Sequence, residues 1–127
     1  MCLLSKTRVL VVDDNSIWRT TLVELLRRSG VKTIDVAYDG VQAVFKARAV
    51  MPDLVLMDVE LPHKNGIDAA AEIHEAVPAA KIIFVSCTAD PGVKQAALKA
   101  GGSDFVCKST VGSQLIDAIK FVLGELS

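Results

Sequence analysis

The sequence predicts one α/β domain on a five-stranded parallel sheet, and three observations carry that prediction. Short apolar runs recur with the length and β-branched content of buried strands: Val9-Leu10-Val11-Val12, Leu54-Val55-Leu56-Met57, Ile82-Ile83-Phe84-Val85 and Phe105-Val106-Cys107. Segments of helical spacing separate them, so strand and helix alternate through five units, which implies right-handed crossovers and a sheet covered on both faces. The remaining strand, Thr33 to Ala37, sets Ile34 and Val36 against Thr33 and Asp35. Such alternation marks a half-exposed edge strand. An edge position for the second strand fits the doubly wound order 2-1-3-4-5, whose switch point lies between the first and third strands.

Each element has a local reason. Ile17, Thr21, Leu22, Leu25 and Leu26 have helical spacing, with Asn15 or Ser16 able to cap the first turn and Ser29-Gly30 to close the last. Gly40 to Val50 reads as the second helix, ended by Pro52, and Leu54 to Asp58 as a buried strand. Pro62 and Gly66 mark a loop before a third helix, Ile67 to Val77, which Pro78 ends. Lys81 to Ser86 returns as a strand, and Pro91 opens a fourth helix at its favoured first-turn position. Gly101-Gly102 breaks it, Asp104 to Lys108 is the last strand, and Val111 to Leu126 the last helix. Leu115, Ile116, Ile119, Val122 and Leu123 form the inward stripe of that helix, and Phe121 falls off it.

With 127 residues, 51% hydrophobic and 23% charged, the chain is expected to be one domain over 1–127 with a sizeable core and no output domain. A net charge of −1 gives no basic footprint, so direct contact with nucleic acid is not expected. Cys2, Cys87 and Cys107 lack metal-site spacing. They are expected to be reduced, with Cys87 and Cys107 packing as small hydrophobes. No apolar stretch approaches the roughly 20 residues that span a bilayer, and no signal peptide is visible. A cytoplasmic protein with no membrane contact is expected.

The apolar runs end on chemistry. The first strand's run stops at Asp13-Asp14, the third strand's at Asp58, the fourth strand's at Ser86-Cys87-Thr88 and the fifth strand's at Lys108. In open parallel sheets ligands bind beyond the carboxyl ends of the strands, so these groups share one crevice. Two carboxylates about 4 Å apart repel by roughly 4 kcal/mol at an effective dielectric near 20. Three therefore need a cation, and hard oxygen donors without histidine or thiolate suit Mg²⁺, with Mn²⁺ as a substitute. Metal, the Lys108 ammonium and the Ser86 hydroxyl together can surround the oxygens of a phosphoryl group in transfer. One carboxylate then serves as nucleophile, and Asp58 is the central one.

The motifs Val-Val-Asp-Asp-Asn-Ser (11–16), Pro-Asp-Leu-Val-Leu-Met-Asp (52–58), Leu-Pro-His-Lys-Asn-Gly (61–66), Ser-Cys-Thr-Ala (86–89) and Asp-Phe-Val-Cys-Lys (104–108) resemble, in order and spacing, the receiver (response-regulator) family of two-component signalling. The resemblance implies a flavodoxin-like fold and a switch that accepts a phosphoryl group on Asp58 from a sensor histidine kinase, a phosphotransfer protein or a small phosphodonor. It further implies that Asp14 and Asp58 ligate Mg²⁺, that Asp13 holds it through water, and that Glu60 offers its backbone carbonyl. Ser86 matches the switch hydroxyl, Lys108 its partner lysine and Phe105 the switch aromatic, expected to rotate inward on phosphorylation. A downstream protein or tethered output domain would read the change, and a homodimer through the fourth helix, last strand and last helix is possible for such a chain.

Some residues depart from the family pattern or lie beside it. Ser109 follows Lys108 where the family usually has proline, so a trans bond or a strained exception is expected. Glu60 and Thr88 stand at positions associated with phosphoryl lifetime. Trp18 is a partly exposed aromatic or a kinase contact, and neither His63 nor His74 suits phosphotransfer or metal binding. Three other functions compete. A phosphatase of the haloacid-dehalogenase type also uses a strand-end Asp with Mg²⁺, but wants a second Asp where this chain has Glu60. A flavodoxin-like binding module on the same strand order would need a donor-rich loop after the first strand, where this chain has Asp13 and Asp14. A degenerate receiver acting only as a docking module would not need the intact acid, hydroxyl and lysine set.

Overall fold

The computed structural model describes residues 3–88 and 90–124. Five parallel strands, β1 (Arg8–Val12), β2 (Thr33–Ala37), β3 (Leu54–Met57), β4 (Lys81–Ser86) and β5 (Asp104–Cys107), lie in the order β2-β1-β3-β4-β5. Between and after them run α1 (Ser16–Arg28), α2 (Gly40–Val50), α3 (Gly66–Ala76), α4 (Pro91–Lys99) and α5 (Val111–Val122). Short 3-10 turns precede β1 and join β5 to α5. The partly exposed β2 occupies an edge, as its alternation required.

The period of two along each buried strand divides the core. Leu10, Val12, Val55, Met57, Ile82, Phe84 and Phe105 face α2, α3 and α4, whereas Val9, Val11, Leu54, Leu56, Ile83, Val85 and Val106 face α1 and α5. Both faces of β3 and β4 are covered, which is why these strands read as unbroken apolar runs. Each fully buried Leu, Ile or Phe in them contributes about 1.5–3 kcal/mol of transfer free energy.

Helix starts are set by side-chain caps. Asn15, Asp39, Asn65 and Asp90 accept backbone N–H bonds from the first turns of α1, α2, α3 and α4. The Asn15 carboxamide takes two, from Ile17 and Trp18, and so is the α1 cap. The end of the last helix differs from the expected Leu126. α5 stops at Val122, Leu123 caps it, and Gly124 turns with φ +83°. A glycine just past a helix adopts that left-handed turn at little cost. Leu126 and Cys2 lie outside the described residues, as does Ala89 of the 86–89 motif.

Cys87 departs from the buried role expected of it. β4 ends at Ser86 and the chain bends away there, leaving Cys87 exposed, while Cys107 is half-buried with its thiol 3.8 Å from the Thr88 carbonyl. Both are free thiols. Phe121 stands 68% exposed, off the inward stripe as its position in α5 required. Among the described residues no peptide bond is cis, so the Lys108–Ser109 bond is trans. No helix among them is long and apolar enough to cross a membrane.

Candidate functional site

Sheet register brings the strand-end groups together. Val12 pairs with Met57, so Asp13 and Asp58 form the next rung, and backbone bonds extend past the strands: Asp13 N–H to the Ala37 carbonyl (3.2 Å) and Asp58 N–H to the Val12 carbonyl (3.0 Å). Alternation does the rest. Asp13, Asp58 and Lys108 each stand two residues beyond a side chain that faces α1 and α5, namely Val11, Leu56 and Val106. All three therefore project to one side, and Lys108 Nζ sits 2.8 Å from Asp13 Oδ2 and 3.0 Å from Asp58 Oδ2. Ser86 has the opposite parity, in line with Phe84, and is buried beside the crevice. Its Oγ accepts the Thr88 N–H at 3.3 Å.

Asp13, Asp14 and Asp58 each place one carboxylate oxygen within 4.8 Å of the others. Asp13 and Asp58 are buried and Asp14 is exposed. Glu60 is exposed at the rim, and its N–H donates to Asp58 Oδ1 at 3.2 Å. One ammonium thus faces a buried carboxylate pair with a third acid close by. Burial pushes the Asp58 carboxyl above its ordinary range; the Lys108 bond pulls the other way without prevailing, and the Asp13 charge adds to the rise. Burial alone would lower Lys108, but its bonds to Asp13 and Asp58 outweigh that and raise it. The two directions agree physically: one cation shared by two anions is held charged, while its charge only partly compensates Asp58.

Asp13 Oδ2 supplies a test of metal fit. It is buried, and the one partner it has among the described residues is Lys108 Nζ, in an ion pair at 2.8 Å. An anionic oxygen with open lone pairs, beside two further carboxylates and no nitrogen or sulfur donor, fits a hard divalent cation that keeps its waters. The residues therefore suit Mg²⁺.

Phe105 is already inward. Its ring is buried and stacks on Phe84 at 6.3 Å between centroids, so the inward position is a stable packing of this chain. Trp18, half-buried on α1, lays its indole 5.1 Å from Lys108 Nζ and so borders the site. His63 lies outside the site; its Nδ1 is 2.8 Å from Asp39, which lowers the Asp39 carboxyl together with the larger effect of the Gln42 N–H. Sequence reasoning missed Arg19 and Tyr38. Arg19 Nη1 donates to the Asp13 carbonyl at 2.9 Å, and its guanidinium stacks on Tyr38 at 4.3 Å. A contact made to a backbone carbonyl leaves no residue-type signal, so nothing in the sequence pattern marked this pair.

A doubly wound sheet with clustered acids, a lysine and a hydroxyl at its switch point defines a phosphate-handling signalling module of the α/β class. The chain belongs to the response regulator receiver domain family, whose model matches residues 9–120. It is similar to the chemotaxis protein CheY of Thermotoga maritima, 37% identical over 115 residues, covering 91% of this chain and 96% of that protein. It is also similar to a protein-glutamate methylesterase/protein-glutamine glutaminase of Geobacter metallireducens, 41% identical over 124 residues, but these span 95% of this chain and only 34% of that protein. Among solved structures, the response regulator domain of Thermotoga maritima CheB superposes with a TM-score of 0.85 at 32% identity, covering 93% of this chain and 96% of that one. CheY in the CheX-CheY-BeF3-Mg²⁺ complex of Borrelia burgdorferi does so with a TM-score of 0.87 at 26% identity, covering 92% and 89%. Receivers of this family are phosphorylation-activated signalling switches that bind Mg²⁺ at an acidic pocket.

Proposed function

We propose that this chain stores one phosphoryl group on Asp58, taken with Mg²⁺ from a sensor histidine kinase, a phosphotransfer protein or a small phosphodonor, and thereby changes the face it shows to partners. The observation that carries this reading is the shared ion pair, with Lys108 Nζ between Asp13 at 2.8 Å and Asp58 at 3.0 Å. Asp13, Asp14, Asp58 and the Glu60 carbonyl would hold the metal, Asp13 through water as the family resemblance implies. Bound there, it would supply a positive charge that offsets the charge on the oxygens in transfer. An Asp58 oxygen forms the new bond to phosphorus as the bond to the donor nitrogen or oxygen breaks, and the donor leaves with that bonding pair. Lys108 keeps its proton and offsets the negative charge, while Ser86 donates its hydroxyl hydrogen to a phosphoryl oxygen.

The readout runs through Phe105. Because the Phe105 ring is already buried, drawing Ser86 toward phosphate acts by changing the packing beside the Phe84–Phe105 stack, and through it the α4, β5 and α5 face, where a groove of about 410 Å³ is lined by Phe105, Val106, Ala118 and Phe121 among others. A downstream protein, a tethered output domain or a second copy would read that face. The reading is of a cytoplasmic regulatory protein whose only chemistry is its own phosphorylation and dephosphorylation, with residues 1–127 as one receiver. The CheY–BeF3–Mg²⁺ relative supports it, since the same fold there accompanies a phosphoryl mimic and the metal.

Incubation with acetyl phosphate and Mg²⁺ tests the reading. One phosphoryl group per chain is expected in the wild type and none in Asp58→Asn. Undiminished labelling of the variant, or release of many equivalents of phosphate from a generic ester, contradicts it; the second outcome favours a phosphatase of the haloacid-dehalogenase type.

A further inference from the structure

We infer that Arg19 and Tyr38 form a brace that positions the Asp13-Asp14 turn for the divalent cation, an inference that rests on the metal reading above. Both backbone polar groups of Asp13 are held. Its N–H donates to the Ala37 carbonyl at the end of β2, and its carbonyl accepts Arg19 Nη1 at 2.9 Å. The guanidinium then stacks on the ring of Tyr38, the residue after Ala37, at 4.3 Å. The contacts close a ring: Asp13 backbone, Arg19 side chain, Tyr38 ring, Ala37 carbonyl, and Asp13 again.

The ring is itself anchored. Tyr38 N–H donates to Gln42 Oε1 at 2.6 Å, while Lys46 donates to the Val36 carbonyl and brings its Nζ to 5.9 Å from the same aromatic ring. On the other flank Asn15 N–H donates to Asp13 Oδ1 at 2.9 Å. That leaves Oδ2, buried and paired with Lys108 Nζ at 2.8 Å, as the atom the brace aims into the crevice. Arg19 does this through the backbone and touches no carboxylate, so it is a positioning residue. A lysine cannot replace it, because only a planar fork can lie flat on an aromatic ring while one of its N–H groups donates sideways.

The sign of the effect separates a brace from a charge. Removing a cation near three carboxylates raises their negative potential, so charge alone predicts tighter Mg²⁺ binding in Arg19→Gln. Positioning predicts weaker binding. The Mg²⁺ dissociation constant is to be measured on the full chain from amide NMR shifts, with Trp18 fluorescence as a second readout. Loss of groups that orient metal ligands costs tenfold or more, and for a brace acting through the backbone the expected rise is about three- to tenfold in Arg19→Gln, Arg19→Lys and Tyr38→Ala. Tyr38→Phe, which keeps the ring, is expected to bind as the wild type does. Unchanged or tighter binding in Arg19→Gln, a wild-type constant in Arg19→Lys, or no effect of Tyr38→Ala overturns the inference. Absence of Mg²⁺ binding in the wild type would instead overturn the metal reading beneath it.

Discussion

Asp58 holds a charge that its surroundings oppose. Its carboxyl is raised by burial first and by Asp13 after, with Lys108 only partly compensating. An acid whose folded value exceeds its unfolded one destabilises the fold as it ionises, so stability falls as pH rises from about 4, the unfolded value, through the raised folded value, and is level above. Asp58→Asn keeps an acceptor for Lys108 and removes the charge. Without metal, it is expected to be more stable than the wild type at pH 7 by on the order of 1 kcal/mol, with the difference vanishing near pH 4. Urea unfolding at the two pH values checks this. At this scale the sequence exposed what ends a buried strand: Asp13, Asp58, Ser86 and Lys108 interrupt apolar runs and are conspicuous. It hid Arg19, whose partner is a carbonyl, and it misplaced Cys87, because where a strand ends decides whether the next residue is buried.

The elements owe their placement to caps and close approaches that differ in how visible they are. Asp39 caps α2 through the Gln42 N–H at 2.7 Å and meets His63 on the loop between β3 and α3. Its carboxyl is lowered by that N–H first and then by His63. The stabilisation is therefore complete above the unfolded value near 4 and lost as pH falls through the folded value. Asp39→Ala is expected to cost about 1 kcal/mol at pH 7 and progressively less in acid, which urea midpoints across that range will show. Gly66 makes a sharper demand. A Cβ there would lie 1.8 Å from the Asp58 carbonyl oxygen, whereas at Gly112 nothing lies within 4 Å. Gly66→Ala is expected to destabilise by about 1–3 kcal/mol and slow acetyl phosphate labelling, since the peptide of the acceptor must shift. Gly112→Ala, near the start of α5, is expected to stabilise by up to about 1 kcal/mol and leave labelling unchanged. The cap residues were legible because Asn and Asp at helix starts have a local purpose. The close approach at Gly66 was not, because it is made by a segment eight residues earlier in the chain. The end of α5 was misjudged for a related reason: apolar spacing continued past Val122, and the turn at Gly124 overrode it.

For the whole molecule, strand order followed from one edge strand and one switch point. The parity that turns Asp13, Asp58 and Lys108 to the same side was implicit in the apolar runs before them. What the sequence left open was which side chains already touch without a phosphoryl group. The structure shows Lys108 engaged by two acids and the Phe105 ring already buried against Phe84. The most direct test of that account is to label the wild-type chain with acetyl phosphate and Mg²⁺, trap the acyl phosphate by borohydride reduction, and locate the reduced residue by peptide mass spectrometry. The account predicts reduction at position 58 alone, abolished by chelating the metal; reduction at Asp13 or Asp14, or labelling indifferent to Mg²⁺, would contradict it.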